Sequence, residues 1–108
     1  MGMSESEFLA AAERTLDAIE SAVEACDADI EATRAGNVLT IETADGSKVV
    51  VNSQTPMRQI WVAARSGGFH YEWRDGAWRD TRDGSELFAA LSRVISAQGG
   101  VAVLLRAG

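Results

Sequence analysis

Seven carboxylates between residues 13 and 31 are the groups in this chain whose type and spacing point to chemistry. Glu13, Asp17, Glu20, Glu24 and Asp27 follow one another at spacings of 4, 3, 4 and 3, with Asp29 and Glu31 close behind. At about 100° per residue, the first five fall within an arc of roughly 80° on an α-helix and form one stripe. Like charges at i,i+4 oppose helix formation by about 0.2 to 0.5 kcal/mol each, so the stripe is mildly destabilising unless something neutralises it. Cations or a basic protein surface would do so. The plainer alternative is a solvated face that keeps the protein soluble and needs no ligand.

The elements that would position these acids follow from periodicity. A first helix is expected from Ser4 or Ser6 to Cys26, with Glu5 and Glu7 placed against its N-terminal dipole. Leu16, Ile19, Val23 and Cys26 form its apolar face. The period then changes to two. "DIEAT", "VLTIET" and "KVVVN" read as strands punctuated by Gly36-Asn37 and by Asp45-Gly46, the latter a two-residue hairpin signal. After Pro56, "QIWVAAR" and "FHYEWR" make a hairpin about Gly67-Gly68, and a short strand around Trp78 follows a turn at Asp75-Gly76. Asp83-Gly84-Ser85 supplies a turn and an N-cap to a second helix, which Gly99-Gly100 stops, and "VAVLL" is an apolar tail over the core. Two helices with one apolar stripe each pack most economically on one face of an antiparallel sheet of five to six strands. The fold class is therefore α+β, a two-layer sandwich, in one domain over residues 1–108.

With Gly67-Gly68 central to a two-residue turn, cross-strand pairs place Ala64 opposite Tyr71, Val62 opposite Trp73 and Arg65 opposite His70. Alternation then puts Ile60, Val62, Ala64, Tyr71 and Trp73 under the helices, and Trp61, Ala63, Arg65, His70, Glu72 and Arg74 on the open face. Trp61 beside Arg65 and His70 is a candidate partner-binding anchor, because tryptophan and arginine are over-represented among hot spots. The alternative is a tryptophan that covers the sheet, packed on Arg74.

Composition narrows the function classes. Eleven acids against two bases leave −9 in residues 1–45, while five acids against eight bases leave +3 in the rest, so the molecule is a dipole of net charge −6. The acidic end does not suit nucleic acid, and no apolar run approaches the ~20 residues that span a bilayer. One cysteine, Cys26, gives neither a disulfide framework nor a thiolate cluster, which points to a reducing, cytoplasmic setting. There is no Glu-x-x-His metal pair and no Ser/His/Asp set, so an enzyme is not expected. A single imidazole, His70, on an open sheet lacks the pocket that haem would need, and Cys26 reads as a small core residue. Met1-Gly2 before Met3 is a doubled start, and residues 1–3 are expected to lie outside the ordered fold.

The string "VLTIETADGSKVVVNSQTPMRQIWVAARSGGFHYEW" resembles the bacterial frataxins, through Asn52, Gln54, Pro56, Gln59, Trp61 and Ala63 and through Gly67-Gly68-Phe69-His70. The resemblance extends over essentially the whole chain, acidic first helix included. It implies an α-β-α fold with both helices on one side of the sheet, and the role of an iron-binding regulator of iron–sulfur cluster assembly rather than an enzyme. The implied partners are a cysteine desulfurase and the scaffold protein. The resemblance places iron on Glu13, Glu20, Glu24, Asp27, Asp29 and Glu31, with Asp17 extending the stripe, and partner binding on Asn52, Gln54, Gln59, Trp61, Arg65 and His70. Iron(III) is a hard cation that favours carboxylate oxygen, and without His or Cys partners the site is shallow. Weak, multiple binding is expected, with manganese, cobalt or calcium competing, on a monomer for which iron-dependent oligomers are the alternative state. Ser21, Ala25 and the short "DADIE" depart from the family's most acidic members, which implies fewer ions bound. An acidic interaction module whose metal binding is incidental is the competing reading.

Overall fold

The structure, a computed structural model, describes residues 3–100 and 103–106. Helix α1 spans Glu5–Glu24, and its start is written in Ser4-Glu5-Ser6-Glu7. The Ser4 hydroxyl accepts from the Glu7 N–H at 3.2 Å, and the Glu7 carboxylate accepts from the Ser4 N–H at 2.8 Å, a reciprocal capping box. These bonds hold the Glu7 carboxyl below its ordinary range. Six strands follow, β1 (Glu31–Ala35), β2 (Val38–Glu42), β3 (Lys48–Gln54), β4 (Gln59–Ala64), β5 (Gly67–Arg74) and β6 (Ala77–Asp80). They form one antiparallel sheet in which spatial order equals chain order. Helix α2 runs Leu87–Gly99 and stops at Gly100, whose φ of 74° suits a left-handed C-cap.

Both helices bury their apolar stripes on the same side of the sheet, giving the expected α+β sandwich. Phe8, Leu16, Ile19 and Val23 of α1 and Leu87, Leu91 and Ile95 of α2 cover Leu39, Ile41, Val49, Val51, Ile60, Val62, Tyr71 and Trp78. Polar links across the layers fix the docking. The Trp78 indole N–H donates to the Thr15 hydroxyl at 2.8 Å, and the Phe8 ring meets Trp78 edge-on at 6.0 Å. Buried Gln98 on α2 accepts from the Arg65 N–H at 3.0 Å and donates to the Lys48 carbonyl at 3.1 Å, tying the helix to two strand ends. The expected tail lies partly outside the described residues. Its Val103 and Leu105 are buried, and their N–H groups each donate at 2.8 Å to the hydroxyls of Ser96 and Ser92.

Several local expectations need correction. The β4–β5 turn is Arg65-Ser66 rather than Gly67-Gly68, with Ala64 opposite Gly67 and Ile60 opposite Tyr71. The offset from the expected register is four residues, an even number, so both face assignments survive. The Asp45-Gly46 signal sits in a five-residue loop, 43–47, not a two-residue turn. There the Asp45 carboxylate accepts from the Ser47 and Thr43 hydroxyls, both at 2.6 Å, and from the Ser47 N–H at 3.0 Å, which holds its carboxyl well below the usual range. Asp75-Gly76 does make the two-residue turn, both residues having positive φ (54° and 79°). The N-cap of α2 is Glu86, not Ser85: the helix begins at Leu87, and it is the Glu86 carboxylate that accepts from the Phe88 and Ala89 N–H groups, while the Ser85 N–H donates to Asp83 in the preceding turn. Helix α1 ends at Glu24, two residues short of Cys26. Of the residues expected outside the ordered fold, Met3 packs against the core, and Met1 and Gly2 lie outside the described residues.

Trp73 is also corrected. It shares the core-side face with Tyr71 but stands near the strand end, where its ring meets Trp78 edge-on at 5.4 Å and keeps 46% of its surface exposed. Trp78→Ala is therefore expected to destabilise the fold by about 3 to 5 kcal/mol. Trp73→Ala should cost about 1 kcal/mol, urea denaturation reading both. Burial, with Asp80 nearby, pushes the Tyr71 phenol up to about 12 from 10.0. The unfolded chain ionises this group first, so its own contribution to stability is level below pH ~10 and falls between ~10 and ~12. Tyr71 is the sole tyrosine, so phenolate absorbance against pH checks the shift directly.

Candidate functional site

The acids expected to bind cations lie where α1 runs beside β1, an edge strand. Glu13, Asp17 and Glu24 are exposed on the helix and Glu20 is partly so, while Asp27 and Asp29 occupy the connection and Glu31 opens β1. Alternation puts Arg34 of β1 on the core side, opposite Leu39, and its chain runs under the helix to the stripe. Its Nη2 lies 3.2 Å from a Glu13 carboxylate oxygen and its Nη1 pairs with Asp17, while Nε donates to the Gly36 carbonyl at 3.1 Å. The neutralising group that the stripe calls for is thus part of the chain. No ion pair among the described residues involves Glu20, Glu24, Asp27, Asp29 or Glu31. Glu42, exposed and directly across from Glu31, adds an eighth acid. Its signal was available: pairing across Gly36-Asn37 sets residue 31 against residue 42. Among the described residues no three His, Cys, Asp or Glu side chains converge on one point, so the acids form an open surface and not a cage.

The partner-binding candidates sort differently. Asn52, Trp61 and His70 stand in one cross-strand row on the open face, on β3, β4 and β5. Gln54 and Gln59 are paired in the neighbouring row. Trp61 is half-buried rather than exposed, because its ring stacks on His70 at 4.3 Å and 13° and its indole N–H donates to Gln59 at 2.8 Å. Arg74 bonds Glu72 at 2.9 Å instead of packing on Trp61. Arg65 leaves the row for the β4–β5 turn, where it pairs with Asp45 at 3.0 Å. Five of the six candidates therefore share one face, opposite the helices. The depression beside Trp61 and His70, lined by Val50, Asn52 and Ala63, measures about 160 Å³. Small-molecule sites occupy roughly 300 to 1,000 Å³, so this surface suits a protein side chain better than haem. Cys26 packs half-buried against the core.

The helix pair on one side of a six-stranded antiparallel meander, the acidic α1–β1 edge and the tryptophan row on the bare sheet define a frataxin-type protein. A model of the frataxin-like domain matches residues 1–101, and the chain belongs to that family. It is 57% identical over 109 residues to a protein of Herminiimonas arsenicoxydans named iron-sulfur cluster assembly protein CyaY, covering 96% of this chain and 97% of that one. The protein of the same name from Ralstonia pickettii is 58% identical over 111 residues, covering 98% and 97%. Frataxin from Psychromonas ingrahamii superposes with a TM-score of 0.87 at 34% identity, covering 94% of this chain and 97% of that one. A trimeric frataxin of Saccharomyces cerevisiae complexed with ferrous iron gives 0.54 at 25% identity, covering 93% and 89%. No helix among the described residues is long and apolar enough to cross a membrane.

Proposed function

We propose that this chain, as a single domain over residues 1–108, is an iron-binding accessory protein of iron–sulfur cluster assembly in the cytoplasm. It acts as a regulator and not as a catalyst. The observation that carries the metal reading is the run of acids from Glu20 to Glu31, at the surface and without a basic partner among the described residues. Family membership and the assembly role in the relatives' names supply the pathway. Open carboxylates favour hard cations but enforce no coordination geometry, so iron binds weakly and manganese, cobalt or calcium compete. The same negative surface suits a basic face of a cysteine desulfurase, and the Trp61 row suits the complex of desulfurase and scaffold.

Titration of ¹⁵N-labelled protein with iron(II) or iron(III) at physiological salt is expected to broaden amides of residues 20–31 selectively. If those resonances keep their intensity, the metal reading falls and an acidic docking module takes its place. Reversal of charge at Glu20 and Glu24 should weaken both iron binding and desulfurase docking. Trp61→Ala should leave iron binding nearly intact and weaken the ternary complex by about 2 kcal/mol. Calorimetry on the reconstituted complex reads that loss, and unchanged affinity would remove the role given to the open face.

A further inference from the structure

The geometry points to Arg34 as a built-in counter-cation that withholds Glu13 and Asp17 from metal and confines ion binding to the stretch from Glu20 to Glu31. This rests on the metal reading above and sets its boundary. In the sequence the stripe is even, one acid every three or four residues. In the fold it is split. All three guanidinium nitrogens of Arg34 are engaged, by Asp17, by Glu13 and by the Gly36 carbonyl. The arginine side chain is only 14% exposed, whereas those of Glu13 and Asp17 are 69% and 60% exposed. The guanidinium brings its N–H donors to this position in a fixed planar fork that matches carboxylate oxygens. Its attachment to β1 keeps it beside the two carboxylates, so a free ion competes against a tethered one.

Displacing it is costly. A metal ion seated between Glu13 and Asp17 would either sit against the guanidinium or drive it off, leaving a mostly buried cation without its carboxylates. No such obstacle stands at the other end, where the described ion pairs leave Glu20, Glu24, Asp27, Asp29 and Glu31 without a partner. Arg34 thus acts as a specificity-determining residue for place and number. It removes two of the seven stripe and loop acids from the ligand pool, and it does so through the docking of α1 on β1.

Side-chain carboxyl ¹³C shifts on titration with calcium(II) alone test the assignment, because a diamagnetic ion perturbs only the carboxylates it approaches. In the unaltered chain, the carboxyl signals of Glu20, Glu24, Asp27, Asp29 and Glu31 should shift first, with those of Glu13 and Asp17 responding only at calcium concentrations at least about fivefold higher. Arg34→Met keeps the chain length and removes the charge, and should lower the midpoint at residues 13–17 by about fivefold or more. Arg34→Lys should restore much of the protection. Glu13→Gln with Asp17→Asn in the unaltered background should leave the midpoint at residues 20–31 within about twofold, which keeps the question answerable if Arg34→Met fails to fold. The assignment is overturned if the Glu13 and Asp17 signals of the unaltered chain shift together with those of Glu20 to Glu31. It is equally overturned if folded Arg34→Met shows no gain there, or if the Glu13/Asp17 double variant loses its calcium response. Should the unaltered chain respond nowhere, the metal reading fails on its own, and the gain in Arg34→Met still judges Arg34.

Discussion

One alternation runs unbroken across all six strands, and the molecule is organised around it. From Ala32 and Arg34 through Leu39, Ile41, Val49, Val51, Ile60, Val62 and Tyr71 to Trp78, every second residue points to the same side. Because each hairpin pairs neighbouring strands in a register that respects this order, a single apolar surface results, wide enough to take two helices. Any one-residue slip would invert a strand and place its polar residues under α1 or α2. The polar exceptions on this side carry compensation. Arg34 reaches out to the helix acids, and buried Asp80 accepts from the Arg82 N–H at 2.7 Å.

The two candidate surfaces are consequences of the same constraint. With both helices on one side, none of the described elements covers the other face of the sheet, and the Asn52–Trp61–His70 row is left to solvent or a partner. The acidic surface arises at the margin, where the outer flank of α1 passes the edge strand. Its charge and its partial neutralisation therefore belong to one contact between α1 and β1. The tryptophan row lies on the opposite side of the sheet and is held by stacking and by the Gln59 hydrogen bond, so the surfaces can act separately.

Much of this was legible because alternation is insensitive to the details of a turn. Placing the β4–β5 turn at Gly67-Gly68 displaced every cross-strand partner, yet Trp61 and His70 still fell on the open face and Ile60 and Val62 beneath the helices. What alternation cannot report is coverage. Trp73 faces the same way as Tyr71, yet Tyr71 is buried and Trp73 is exposed. Nor does it report which long side chain reaches across layers: the role of Arg34 depends on β1 being the strand beside α1, a fact of tertiary docking. Short polar turns were the other weak point. Ser85 is the better N-cap by type, but it belongs to the preceding turn with Asp83, the helix begins at Leu87, and the longer Glu86 side chain folds back to cap it instead.

The plain succession of strands also bears on how the chain finds this structure. Since spatial order equals chain order, each strand pairs with the one just synthesised, and every ladder closes across a loop of two to five residues. Closing such loops costs little entropy, so the sheet can zip hairpin by hairpin without waiting for a distant segment. The long-range steps are the dockings of the helices, the longest that of α1, whose Phe8 and Thr15 must find Trp78 across most of the chain. Helix docking, rather than sheet assembly, is thus the step with the greatest search to complete. In a nascent chain the acidic helix emerges ahead of all six strands and waits longest for its partner.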